Sequence, residues 1–228
     1  MSASSLSGVA YGIVFDLDGV LVDSEQWWDE IRRAVVAEYG GAFTAAATRA
    51  MQGMSTPEWA AYLVDELGAT LTPERAAAEV VDRMAARYSD GPPLLPGAVD
   101  AVREAARRAP VAIASSSPPV IIATFLSSTG LSDVVGAAVS SEEVGAGKPD
   151  PAVYLEAARQ LGITPNGSIA IEDSTNGLRA ALAAGMTTIA VPNPHFPPDP
   201  AVLAQAHRRI DHLADLPAVL DEVAGSAS

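Results

Sequence analysis

Residues Gly12 to Glu25 read G-I-V-F-D-L-D-G-V-L-V-D-S-E, and the two carboxylates of Asp16 and Asp18 are spaced for chemistry on a metal-bound phosphate. Side chains along extended backbone repeat with period two, so acids separated by one residue face the same side. Gly19 then lets the chain turn away at once. One carboxylate can ligate Mg²⁺ and attack phosphorus while the other serves the leaving or entering oxygen as acid and base. Taken alone, Asp-x-Asp-Gly reads equally well as an acidic turn, since both residue types are common there.

Three further stretches hold candidate groups. Ser115-Ser116-Ser117-Pro118 sets hydroxyls ahead of a helix start, where unpaired N–H groups and the positive end of the helix dipole attract an anion; by itself it is an ordinary cap. Gly147-Lys148-Pro149-Asp150-Pro151 carries one Lys just before a helix that Asp150 can cap, and without context that Lys would be a solvated surface residue. Ile169-Ala170-Ile171-Glu172-Asp173-Ser174 ends an apolar run in paired acids, with Ser174 as helix cap and Asn176-Gly177 in the first turn; acids there are as readily capping as catalytic.

The elements that must hold these groups follow from periodicity. Ile13-Val14-Phe15 is a β-branched and aromatic run without helical period, which predicts a buried strand delivering Asp16 to its carboxyl end. After the turn, Ser24 can cap a helix with Trp27, Trp28, Ile31, Ala34, Val35 and Tyr39 at three- and four-residue spacing, stopped by Gly40-Gly41. Thr56-Pro57-Glu58 and Thr72-Pro73-Glu74 are further helix starts, each with Pro at the first helical position. Four helices in succession without a strand predict an all-α insert over 24–92, ending at Asp90-Gly91-Pro92-Pro93. From Leu94 strand alternates with helix: helices over 97–109, 118–129, 151–161 and 174–184, strands over 110–114, 134–138, 168–171 and 187–191. That rhythm predicts a Rossmann-like parallel sheet in an α/β core built from 8–23 and 93–223, with Gly130, Gly162 and Gly185 at helix ends. Ligands of such sheets bind beyond the carboxyl ends of the strands, where all four stretches fall.

Composition narrows the partners. A net charge of −14 with only 14 Lys and Arg argues against nucleic acid and anionic membrane, and no apolar run reaches the ~18 residues of a membrane span. There is no Cys, so neither disulfides nor thiolate chemistry is available. The first residues lack the basic and apolar regions of a signal peptide, so a cytoplasmic location is expected, with frayed ends over about 1–7 and 224–228. Acidity also means that an anionic substrate must be met by a metal and a few placed cations.

F-D-L-D-G-V-L-V-D-S-E resembles the first motif of the haloacid dehalogenase superfamily, in its β-phosphoglucomutase-like branch of phosphatases and phosphomutases. Ser115, G-K-P-D-P and Glu172-Asp173 match the second, third and fourth motifs in the family's order. The resemblance implies a Mg²⁺-dependent phosphatase working through an aspartyl-phosphate, acting on a small phosphate ester such as a sugar or polyol phosphate, and a monomer is expected. It gives Asp16 the role of nucleophile, Asp18 that of acid and base, and Ser115 and Lys148 that of holding phosphoryl oxygens. Asp16, Asp173, the Asp18 carbonyl and Glu172, directly or through water, would hold the metal, and oxygen-only ligands favour Mg²⁺ over Zn²⁺. The helical insert stands where the family has its cap, which puts Trp27, Trp28, Gly53, Met54, Ser55, Thr56 and Trp59 toward the substrate. A dehalogenase is disfavoured by the second acid, Asp18; a phospho-accepting receiver module, by the insert and by Asp-x-Asp on the first strand. A phosphomutase is the nearer alternative. The family's mutase has an Arg just after Gly-x-Ser in the cap and a His on the first cap helix, where this chain has Thr56 and Trp28, and Arg49, earlier in the same cap segment, could substitute. His195 reads as a surface-loop residue.

Overall fold

The short β-branched runs pair into one sheet because each is too apolar to stay in water and too short to bury itself alone. The computed structural model describes residues 11–51, 54–193 and 197–226. Strand β1 (Ile13–Phe15) is followed by four helices without an intervening strand: α1 (Glu25–Glu38), α2 (Ala47–Ala50), α3 (Thr56–Asp65) and α4 (Pro73–Ser89). The chain continues through α5 (Ala98–Ala106), β2 (Val111–Ser115), α6 (Pro119–Thr129), β3 (Ala137–Ser140), α7 (Ser141–Val144), α8 (Ala152–Leu161), β4 (Ile169–Glu172), α9 (Thr175–Ala183), β5 (Thr187–Ala190), α10 (Pro200–Leu203), β6 (Arg208–Arg209) and α11 (Leu216–Ser226). The sheet order is β3-β2-β1-β4-β5-β6, and every pairing is parallel. β1 therefore lies between β2 and β4, where the order reverses, and the carboxyl ends of these three strands open on one crevice.

Alternation along the strands assigns the two faces. Ile13, Phe15, Val111, Ile113, Ile169 and Ile171 point into one cluster, while Val14, Ala112, Ala114 and Ala170 point into another. The small residues of the second face let α8 and α9 approach closely through Ala157, Ala158, Ala180 and Ala181. The larger face takes α5, α6 and α11, and its cluster runs on without a break into the insert through Ile31, Val35, Trp59, Leu63, Val80 and Met84. One contiguous core therefore couples the insert to the sheet, and Asp23 N, donating to Pro93 O at 2.8 Å, ties the two connecting strands of chain together.

Some local expectations shift. The run 134–138 starts as a turn, because the N–H groups of Val134 and Val135 both bond back to Leu131 O, and the strand begins only at Ala137. α3 starts one residue early, with the Glu58 carboxylate accepting both Ser55 N and Ser55 Oγ at 2.7 Å. Ser24 stands at the start of α1, but its hydroxyl bonds to Asp18 rather than capping the helix. Periodicity predicts nothing after 191, whereas the structure adds α10, β6 and α11 there; the two exposed arginines of β6 carry no apolar signal. Gly53, His195 and the expected frayed residues 1–7, 227 and 228 lie outside the described residues, as do residues 8–10 at the start of the expected core.

Gly40 and Gly41 end α1 for different reasons. Gly40 adopts φ +78°, whereas a Cβ on Gly41 would lie 2.4 Å from Leu67 O and 2.8 Å from Val36 Cγ1. A φ penalty is about 1–2 kcal/mol, while a backbone clash must move the α3–α4 connection and adds the cost of overpacking, about 1–3 kcal/mol. Gly41→Ala is expected to lower the midpoint of urea unfolding at least as much as Gly40→Ala; a Gly41→Ala protein as stable as the parent would mean that this junction yields without cost.

Candidate active site

The four chemical stretches meet at the crevice. Asp16 follows β1 directly, Ser115 ends β2 and Glu172 ends β4, so three neighbouring strands bring their carboxyl ends together. Lys148 arrives from the loop between α7 and α8 and is almost wholly buried. Its ammonium donates to Asp16 Oδ1 at 2.6 Å, Glu172 Oε1 at 2.6 Å and Ala114 O at 3.1 Å, using all three of its N–H bonds.

Glu172 is held from every side. Tyr154 OH donates to Oε1 at 2.7 Å, while Oε2 accepts Asp173 N, Ser174 N and Ser174 Oγ at 3.0–3.2 Å. The first turn of α9 lies so near that a Cβ on Gly177 would fall 1.8 Å from Glu172 Oε1. Gly19, at φ +86°, is needed for a similar reason: its Cβ would lie 2.1 Å from Asp173 Oδ2.

Asp16, Glu172 and Asp173 each offer an oxygen within 4.8 Å of the others, and all three are buried. Asp173 Oδ1 is shut away from water with no hydrogen-bond partner. Once ionised, three carboxylates against the single ammonium of Lys148 carry two net negative charges, and the donors are all oxygen. A hard divalent cation fits this set on charge, on donor type and on the orphaned Asp173 oxygen.

Electrostatics mark the same place. Burial, with Glu172 and Asp18 adding to it and Lys148 opposing, pushes Asp16 up to about 8. Burial, then Glu172 and Asp16, raises Asp173 well above the usual carboxylate range. Burial works against a charged Lys148, but Asp16 and Glu172 overcome it and raise its value.

Asp18 is turned toward the serines rather than into the acidic cluster. Its carboxylate accepts Ser117 Oγ at 2.6 Å and Ser115 Oγ at 3.4 Å, and it also accepts the hydroxyl of Ser24. Asp16 and Asp18 thus face different partners two residues apart. Ser115 additionally accepts Ser117 N at 2.9 Å, and exposed Ser116 lines the opening.

A cavity of about 720 Å³ lies between this crevice and the helical insert. Trp28, Met54, Thr56 and Trp59 form part of its roof, and Asp18, Lys148 and Asp173 its floor. Ser55 borders an adjoining cavity of about 640 Å³ that also reaches Lys148. Trp27 is not on the wall: successive helical residues project about 100° apart, and its ring packs edge-on against Tyr88 at 6.0 Å with Arg87 stacked 4.0 Å above.

The sequence profile of the haloacid dehalogenase-like hydrolases matches residues 12–185. The chain belongs to this family. It is 34% identical over 212 residues to hexitol phosphatase B of Escherichia coli O157:H7, a match covering 90% of this chain and 93% of that one. A CbbY structure from Rhodobacter sphaeroides, in complex with phosphate, superimposes with a TM-score of 0.81 at 26% identity, over 91% of this chain and 96% of the other. A putative β-phosphoglucomutase from Thermotoga maritima does so with a TM-score of 0.73 at 28% identity, over 93% and 99%. Family and relatives together make this chain a phosphatase of the β-phosphoglucomutase-like branch.

Motif reading leaves three site residues unassigned. Tyr154 falls in a helix at ordinary core spacing, so its bond to Glu172 has no local signature. Ser117 looks interchangeable with its neighbours until backbone direction separates them; Ser24 looks like a cap. On the cavity wall, apart from these three, stands Arg32 of α1, which no motif includes.

Carboxyls raised by burial make the folded chain bind protons that the unfolded chain has released. The stability from this cluster is therefore present at acid pH and lost as pH climbs from the ordinary 3.8 toward 8. In the presence of a chelator the melting temperature is expected to fall between about pH 5 and 8, and Mg²⁺ to flatten that slope by favouring the ionised carboxylates. Equal slopes with and without Mg²⁺ would separate the cluster from metal binding.

Proposed function

We propose that this chain is a Mg²⁺-dependent phosphatase that hydrolyses small sugar or polyol phosphates through an aspartyl-phosphate on Asp16. The observation that carries the reading is Lys148 locked between Asp16 and Glu172, beside the unpartnered oxygen of Asp173, beneath a cavity large enough for a sugar phosphate. The similarity to hexitol phosphatase B supports the substrate class.

The residues divide the work as follows. Lys148 fixes Asp16 Oδ1, leaving Oδ2 as the attacking oxygen, and offsets the charge gathering on the phosphoryl group. Asp16, Asp173 and the Asp18 carbonyl would hold Mg²⁺, with Glu172, whose oxygens are already engaged, contributing through water. A bound Mg²⁺ supplies charge neutralisation and alignment of the phosphate for in-line attack. Asp18 gives a proton to the leaving alkoxide and then takes one from the water that opens the aspartyl-phosphate. In the described arrangement Ser117, Ser115 and Ser24 hold the Asp18 carboxylate at the edge of the cavity, ready for both steps. Ser115 and the N–H groups at the start of α6 receive the phosphoryl oxygens. Residues 24–92 act as the cap over this site and 8–23 with 93–223 as its core.

Hydrolysis is favoured over mutase chemistry. A mutase must grip a second phosphate, yet Thr56 stands where the family's mutase has its Arg and a hydroxyl cannot supply that bidentate grip, while Arg32 on the same roof has the acids Glu25, Asp29 and Asp18 about it.

Asp16→Asn is expected to keep the fold and to lose turnover of sorbitol 6-phosphate to below about a hundredth of the parent, because an amide cannot form the covalent intermediate. Assaying the parent with β-glucose 1-phosphate and a trace of glucose 1,6-bisphosphate should release free phosphate. Glucose 6-phosphate appearing faster than phosphate would establish a mutase, and retained turnover in Asp16→Asn would remove the covalent step.

A further inference from the structure

Opposite the phosphoryl site, the roof holds a cation that no motif calls for. The guanidinium of Arg32 lies 4.8 Å from the ring centroid of Trp59 and 5.2 Å from that of Trp28, in the angle between two rings tilted 55° apart. Its Nε is shut away from water and has no hydrogen-bond partner. A planar cation stacked in this way keeps its position while its donors stay unspent. Burial lowers its value to about 10, which leaves it charged at neutral pH.

Its surroundings select among ligands. Glu25 lines the same cavity, yet among the described residues no hydrogen bond or ion pair joins it to Arg32, although its charge bears on the guanidinium. Asp29 is engaged, accepting Arg33 Nε at 2.5 Å and the hydroxyl of Thr48. The wall therefore sets an unspent donor near an unspent acceptor, with flat aromatic surface beside them. A second phosphate or a carboxylate would gain from Arg32 but meet Glu25, Asp29 and Asp18, all of which bear on the guanidinium. A hydroxyl pair can accept from Arg32 and donate to Glu25 together, while the C–H face of a polyol lies on Trp28 or Trp59.

We infer that Arg32, together with Glu25 two turns earlier on the same helix, is the specificity-determining residue for the non-reacting end of the substrate, and that this end is an uncharged polyhydroxyl chain. The assignment rests on the phosphatase reading above and narrows it: sugar acids and bisphosphates are excluded, neutral sugar and alditol phosphates are taken.

Three esters test it in the full chain with Mg²⁺: sorbitol 6-phosphate, 6-phosphogluconate, which ends in a carboxylate, and p-nitrophenyl phosphate, which has no hydroxyls. The parent is expected to prefer sorbitol 6-phosphate to 6-phosphogluconate by at least about tenfold in kcat/KM, and Glu25→Gln to narrow that preference. In Arg32→Gln the ratio of kcat/KM for sorbitol 6-phosphate to that for p-nitrophenyl phosphate should fall at least about tenfold, mainly through KM, for loss of a charge-assisted hydrogen bond. Because both substrates report on the same folded fraction, partial misfolding cancels from the ratio. A smaller fall would make Arg32 merely structural, and equal or better use of 6-phosphogluconate by the parent, or a preference unchanged in Glu25→Gln, would overturn the uncharged tail. Failure to release phosphate from any of the three would instead refute the phosphatase reading, and this inference with it.

Discussion

An ammonium removed from water is tolerated only where opposite charge and hydrogen-bond acceptors replace its hydration, and Lys148 has all of them: two carboxylates and a backbone carbonyl. The acceptors stand in β2 and β4 and directly after β1, so this one side chain reports whether three strands are in register. Removing it would leave Asp16, Glu172 and Asp173 facing one another in a buried space with no cation between them. Much of the nearby structure serves the same group, including the hydroxyl of Tyr154 on Glu172 and the missing side chain of Gly177.

Packing explains why that cluster can be so tight. The alanine-rich face of the sheet draws α8 and α9 close, which carries Tyr154 and Gly177 into contact with the end of β4. The opposite face has larger side chains and shares its core with the insert, so the roof over the cavity is positioned by the same hydrophobic cluster that buries the strands. Floor and roof are therefore built by opposite layers of one sheet.

Charge is distributed with the same economy. The chain is strongly acidic, and many of its arginines are bound in surface pairs, such as Arg83 with Glu38 and Glu79, Arg87 with Glu30, and Arg108 with Glu104 and Asp221. Such exposed pairs contribute little to stability, but they keep those cations away from the cavity. Lys148 on the floor and Arg32 on the roof then stand at opposite ends of an otherwise acidic pocket. Among the described residues no helix is long and apolar enough to cross a membrane.

The sequence by itself determined the strand-and-helix rhythm, the helical insert and the order of the motif residues Asp16, Asp18, Ser115, Lys148, Glu172 and Asp173. The rhythm and the insert are written in local signals, in period-two or 3.6-residue patterns with Gly and Pro at boundaries, whereas the motif residues stand out only through their resemblance to the family's motifs in the same order. Elements without such signals were not legible, as with β6, two exposed arginines paired to β5, and the strand starting at Ala137, displaced by the turn that closes on Leu131. Only the tertiary structure decided that Ser117 and Ser24 hold Asp18, that Tyr154 fixes Glu172, that Trp28 and not Trp27 faces the cavity, and that Arg32 is stacked there with donors unspent. These choices depend on partners far away in the chain and on the direction in which a backbone already committed to helix or turn happens to aim a side chain. No local pattern of residues carries that information.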